Sequence, residues 1–186
     1  MGFEIRTNII KISQRRIIIP GLIILILFAI YMFVAFRETG YPVGIFRAQL
    51  TFSAPELQSH FNDLIASGNL NRYQNYHLLD FIFILVYSSV LFITATGLSR
   101  QFNNKPRRFG YAIALLFLVA GVLDIIENLL ILRMLSEPQT IANCMAIAYS
   151  LFALIKLVLF YGGLAWLSIA FIYLAVIKIK KKHRHN

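Results

Sequence analysis

Four ionisable residues stand inside stretches otherwise apolar enough to cross a bilayer: Asp80, Asp124, Glu127 and Lys156. A hydrocarbon interior tolerates such groups only where they face protein, water or one another, so they define the chemistry to look for. Three carboxyls against one ammonium leave a surplus of negative charge when all ionise. A proton held on a carboxyl or a bound cation would meet that surplus. A protonated acid beside an ionised one suits general acid–base work, and it equally suits proton coupling.

Spacing gathers these residues with others. Asp124, Glu127 and Asn128 stand at i, i+3 and i+4, hence on one helix face. Gly121, one turn earlier on that face, permits close helix approach. His77, Asp80, Ile84 and Tyr87 form a second stripe, and Tyr149, Ala153, Lys156, Phe160 and Gly163 a third. Turned inward together, the stripes would line an outward-opening niche. Asp80, Asp124 and Glu127 would there carry proton traffic as the catalytic set. His77, Tyr87, Asn128, Tyr149 and Lys156 would bind the ligand, a lipid or small amphipathic molecule. The plainer alternative is structural. Polar contacts between transmembrane helices are worth roughly 0.6–2 kcal/mol as packing alone, Lys156 could snorkel, and Asp80 could answer a helix N-terminus.

The elements that must position these groups are helices. The chain has 186 residues, 59% of them hydrophobic, with a mean hydropathy of +0.70. That composition reads as an all-α integral membrane protein, a single transmembrane domain over 1–186 built as a four-helix bundle. The spans fall at about 17–36, 78–98, 109–132 and 141–177, against the ~20 residues a helix needs to cross a hydrocarbon core. Pro20 falls in the first turn of span one, where its missing N–H costs little. The first span exceeds the roughly 7–15 apolar residues of a secretory leader, so it reads as a retained helix. The fourth region holds 37 residues and either continues as one long helix or breaks at Gly162-Gly163.

Between spans one and two, Ser53 and Glu56 form an S-x-x-E capping box with Pro55 in the first turn. Leu57, Phe61, Leu64 and Ile65 follow as one apolar stripe, and Gly68 supplies a stop. The spacing predicts a short amphipathic helix over about 54–67, external to the bundle, acting as a cap, a lid or an interfacial element.

Charge sets orientation. Thirteen Lys and Arg fall on the N-terminal, span-two-to-three and C-terminal segments, against four on the other side. By the positive-inside rule both termini are cytoplasmic, in the cell's inner membrane. The formal net charge of +10 is thereby explained without nucleic acid. The partners expected are membrane lipids, with a homo-oligomer as a further option. Cys144 is a lone cysteine and reads as a small residue packed in a helix. No metal set and no identifiable cofactor follow: the His183-Arg184-His185 tail is a poor site, and phosphate loops, HExxH and GxSxG are absent. Whether the chain is an enzyme is open. A proton- or cation-coupled transporter component and a non-catalytic accessory subunit are the competing functions.

The external helix, the Tyr76–Asp80 stretch, the Asp124-Ile-Ile-Glu127-Asn128 motif and Lys156 resemble a functionally uncharacterised group of small bacterial four-span membrane proteins. That resemblance covers about residues 50–165 and implies architecture. A looser similarity is to the EXPERA families, four-span bundles with acidic residues facing an intramembrane pocket, whose isomerases use carboxylates and a His to move a proton on a sterol. This chain lacks their His-x-x-x-Glu pair, since Asp80 follows His77 by three, so those catalytic residues are not carried over.

Overall fold

The computed structural model describes the backbone of residues 2–183 and the side chains of residues 17–177, 179 and 180. Most of the basic residues that set the orientation at both ends, and the His-Arg-His tail, lie outside the described side chains. Six helices and no strand form among the described residues: α1 Gly2–Glu38, α2 Ile45–Gln49, α3 Ala54–Ala66, α4 Leu70–Ser99, α5 Asn104–Ser136 and α6 Asn143–His183. Four of them, α1, α4, α5 and α6, are long and apolar enough to cross a membrane.

The spans expected from the sequence are all there, and the helices run past them. α4 begins eight residues before the expected start at 78, because Asn69-Leu70-Asn71-Arg72 is polar without breaking a helix. Pro20 stands inside α1 rather than in its first turn. α6 is unbroken through Gly162-Gly163. Gly163 is there for packing, since a Cβ at this position would meet Phe117 Cζ at 2.6 Å, whereas Gly162 has open space beside it. Cys144 is exposed in the first turn of α6, not packed as expected.

α4, α5 and α6 pack on one another, and among the described residues α1 lies chiefly along α4. Phe36 meets Tyr76, Phe28 meets Phe83, and Gly21 faces Val90, so α1 runs antiparallel to α4. Large apolar side chains cover the outward surfaces, among them Ile23, Leu27, Leu85, Val122, Val158 and Phe171. Such a surface is what lipid tails would cover.

α3 closes one end of the bundle, called here the capped end. Ser53 is its N-cap, accepting from the Glu56 N–H, and Gly68 at φ +71° ends it in the left-handed region. Leu57, Phe61 and Leu64 are completely buried against α4 and α6, but Ile65 faces out. Phe52, a non-glycine residue at φ 52°, turns the chain into α3 and is held by its N–H on Ser150 Oγ of α6 at 3.0 Å. On the far side of α3, the Tyr41 hydroxyl lies 3.2 Å from His60 Nδ1. Burial keeps the Tyr41 phenol protonated, so its O–H is available to donate to the imidazole.

Two outcomes follow. Gly163→Ala should destabilise the α5–α6 packing by about 1–3 kcal/mol through a clash with the buried Phe117 ring, and Gly162→Ala should not; melting in detergent compares them. Burial also pushes His60 below its ordinary value, outweighing the pull of Glu56 and Asp63. A depressed imidazole contributes stability that is full above ~6.5 and declines as pH falls through it, because the unfolded form then binds more protons. Protection of the α3 amides from hydrogen exchange should therefore drop between about pH 7.5 and 5.5, and a His60→Gln chain should lose that pH dependence.

Candidate functional site

The three stripes converge just beneath the cap. On α4, Tyr73, His77, Ile84 and Tyr87 are buried on the face toward α5. On α5, Gly121, Asp124, Glu127, Asn128 and Ile131 form the matching face. The two helices approach closely because Gly121 sits against Ser88, where a Cβ would come within 3.1 Å of the serine's own. That serine returns its hydroxyl to the Ile84 carbonyl of its own helix at 2.6 Å. On α6, Tyr149, Ala153 and Lys156 follow at helical spacing, all buried.

At the centre stands Lys156. Its Nζ donates to Asp124 Oδ1 at 2.8 Å and contacts Glu127 Oε2, so one ammonium bridges two carboxylates a turn apart on the neighbouring helix. The second oxygen of Asp124 accepts from the Tyr87 hydroxyl at 2.9 Å, which ties α4 into the same cluster. Tyr87 in turn meets the Phe160 ring edge-on at 5.3 Å.

A second chain of bonds runs alongside. Asn128 Nδ2 donates to Asp80 Oδ2 at 2.8 Å, and Asn128 Oδ1 lies 2.8 Å from His77 Nδ1. An ionised Asp80 can only accept, so the amide must turn its NH₂ that way and its oxygen to the histidine. His77 Nδ1 therefore donates, and in the neutral ring Nε2 carries the free lone pair. That nitrogen is buried and has no hydrogen-bond partner. Glu127 Oε1 is likewise buried and unpartnered.

Seven of the eight candidate residues thus join by direct polar contact as His77–Asn128–Asp80 and Tyr87–Asp124–Lys156–Glu127. Asn128 follows Glu127 in sequence, so the two strings adjoin. Tyr149 belongs instead to the apolar cluster under the cap, with Ile131 and Met134. The groups close on one another rather than line an open niche: Asp124, Glu127, Asn128 and Lys156 are all less than a tenth exposed. Asp80 alone is half-buried, so the network reaches a surface at its α4 end.

Tyr73 and Tyr76 lie ahead of the span expected to start at Leu78 and are not among the candidate site residues, Tyr76 entering only through the resemblance. Tyr73 meets His77 edge-on at 4.7 Å and Tyr76 flanks it at 5.3 Å. Both were legible, since Tyr73 stands one turn before His77 on the same stripe. No cluster of metal-ligating side chains forms among the described residues. No protein-family model, curated protein or solved structure matches the chain.

Removing one member of a buried ion cluster strands its partners, at a cost of about 3–5 kcal/mol. Lys156→Met should lower stability by that order, and adding Asp124→Asn with Glu127→Gln should recover most of it. Denaturant melts of the single and triple variants provide the comparison.

Proposed function

We propose that the chain is a multi-pass membrane protein with both termini cytoplasmic, and that its buried acid–lysine–histidine network binds the polar head of a lipid or small amphipathic molecule and exchanges a proton with it. The observation that carries this reading is that, of the buried polar atoms left without hydrogen-bond partners, His77 Nε2 and Glu127 Oε1 both fall in this network, while Thr96 Oγ1 lies apart from it. An unmade bond at a buried polar atom costs about 1–3 kcal/mol, and a purely structural network has every reason to avoid two of them. With the carboxyls ionised both atoms accept and the surrounding charge is surplus negative, so the favoured ligand group is a donor: a hydroxyl or a protonated amine. Asn128 and Asp80 would hold the His77 ring in the tautomer that receives its proton, and Lys156 would keep Glu127 oriented.

Depth supports a membrane setting. Arg72 stands eight residues from Asp80 and Arg133 six from Glu127, roughly 12 and 9 Å at helical rise. Arginines from two helices would thus mark the interface, with the acids about two turns inside it. Transport is the weaker reading. On the side away from the cap the network rests on Ile84, Leu91, Ile113, Ala114 and Phe117, an apolar layer with Phe160 packed against it. That layer offers no polar route onward through the α4–α5–α6 core.

The test is mass spectrometry of molecules retained by gently purified protein. The wild type should carry an amine- or hydroxyl-bearing amphiphile that His77→Phe and Glu127→Gln each reduce by about tenfold, the worth of one buried hydrogen bond. Variants that melt like the wild type yet retain the same molecules in the same amounts would overturn the reading.

A further inference from the structure

A cavity lies beside the network, not within it. It holds about 660 Å³ between the capped-end halves of α1 and α4. Tyr31, Ala35 and Glu38 line it from α1, and Arg72, Asn75 and Leu79 from α4. Because the helices run antiparallel, the charged residues of both meet at the same end. Tyr31 to Glu38 and Arg72 to Leu79 each cover seven residues, a descent of roughly 10 Å from charge to apolar wall. Glu38 and Arg72 form no ion pair, although they line the same space and both are exposed. Two opposite charges that share a cavity without joining can each take a partner of their own.

We propose that this cavity seats one zwitterionic glycerophospholipid. Its phosphate sits on Arg72, with Asn75 as an added donor, its ammonium meets Glu38, and the start of its acyl chains lies against Ala35, Tyr31 and Leu79. The guanidinium suits a phosphate because its paired N–H groups match the oxygens. An anionic lipid satisfies Arg72 but sets its surplus charge against Glu38, and a free phosphate leaves the apolar half of the cavity unused. The site is separate from the one proposed above. Tyr76, buried at 8% exposure, stands between them, lining this cavity while flanking His77 on its own helix.

Delipidated protein in detergent is titrated with dioleoylphosphatidylethanolamine, dioleoylphosphatidylglycerol and the tail-less glycerophosphoethanolamine, and bound molecules are counted by native mass spectrometry. The ethanolamine lipid should be held about fivefold or more above the glycerol lipid, and Arg72→Gln and Glu38→Gln should each cut that retention about fivefold, the scale of one charge-assisted hydrogen bond. Glu38→Lys should turn the preference toward the glycerol lipid. The loss caused by Arg72→Gln should be the same in a Glu127→Gln background as in the wild type, which separates failure of this site from failure of the network. If Arg72→Gln melts early, Arg72→Lys replaces it, expected to fold and to bind the ethanolamine lipid more weakly. Equal retention of both lipids, or wild-type retention in the charge variants, means an unselective lipid annulus and ends the proposal. Tail-less headgroup binding as tight as the full lipid ends it as well.

Discussion

One ammonium held between two carboxylates is the constraint around which the bundle is arranged. Lys156 can be buried only because Asp124 and Glu127 meet it, and those carboxylates can be buried only because it is there. The reciprocity fixes the rotation and height of α6 against α5. The Tyr87 hydroxyl on Asp124 then fixes α4 to the same level, so three helices share a register set by directional bonds. Apolar packing alone tolerates sliding of one smooth helix past another; a hydrogen-bonded cluster does not.

The remaining elements fit around that core. α3 buries Leu57, Phe61 and Leu64 over its capped end, and the left-handed turn at Phe52 is tied directly to α6 through Ser150. The cap therefore shields the cluster from water, and shielding strengthens each ionic contact beneath it. α1 takes no part in the cluster. It packs chiefly on α4, with most of its described surface left exposed, and this position opens a cavity beside Tyr76 instead of sealing it.

Much of this was legible in the sequence because charge inside an apolar run is so costly. The positions of Asp80, Asp124, Glu127 and Lys156 gave the faces, and helical rise gave matched depths. The three stripes meet as their spacing requires. The failures have physical causes. Helix ends are expected where hydrophobicity ends, yet α4 carries a polar extension that keeps its hydrogen bonds outside any apolar run, so neither Tyr73 nor Tyr76 stands among the candidate site residues. Ile65 was assigned to the buried stripe on period alone, but the strip of contact with α4 and α6 is narrower than the stripe. An open niche was expected because residue types do not reveal whether polar groups face a space or one another. The cavity between α1 and α4 had no signature at all, since Glu38 and Arg72 are far apart in the chain and each looks like an ordinary interfacial charge.

The closure of the network bears on how it could work. Its fully buried members are covered by the cap on one side and by the apolar layer around Phe117 on the other. Lateral access is left, where Asp80 emerges half-buried from α4 and where Tyr76, packed on His77, lines the neighbouring cavity. A molecule arriving that way comes from the bilayer, not from water, with its polar end already at the level of Arg72 and Glu38. Such a route would select amphiphiles before any chemistry takes place. It would also let the acids stay dry between encounters, the condition under which a lone pair on His77 and an unpartnered oxygen on Glu127 act most strongly on whatever reaches them.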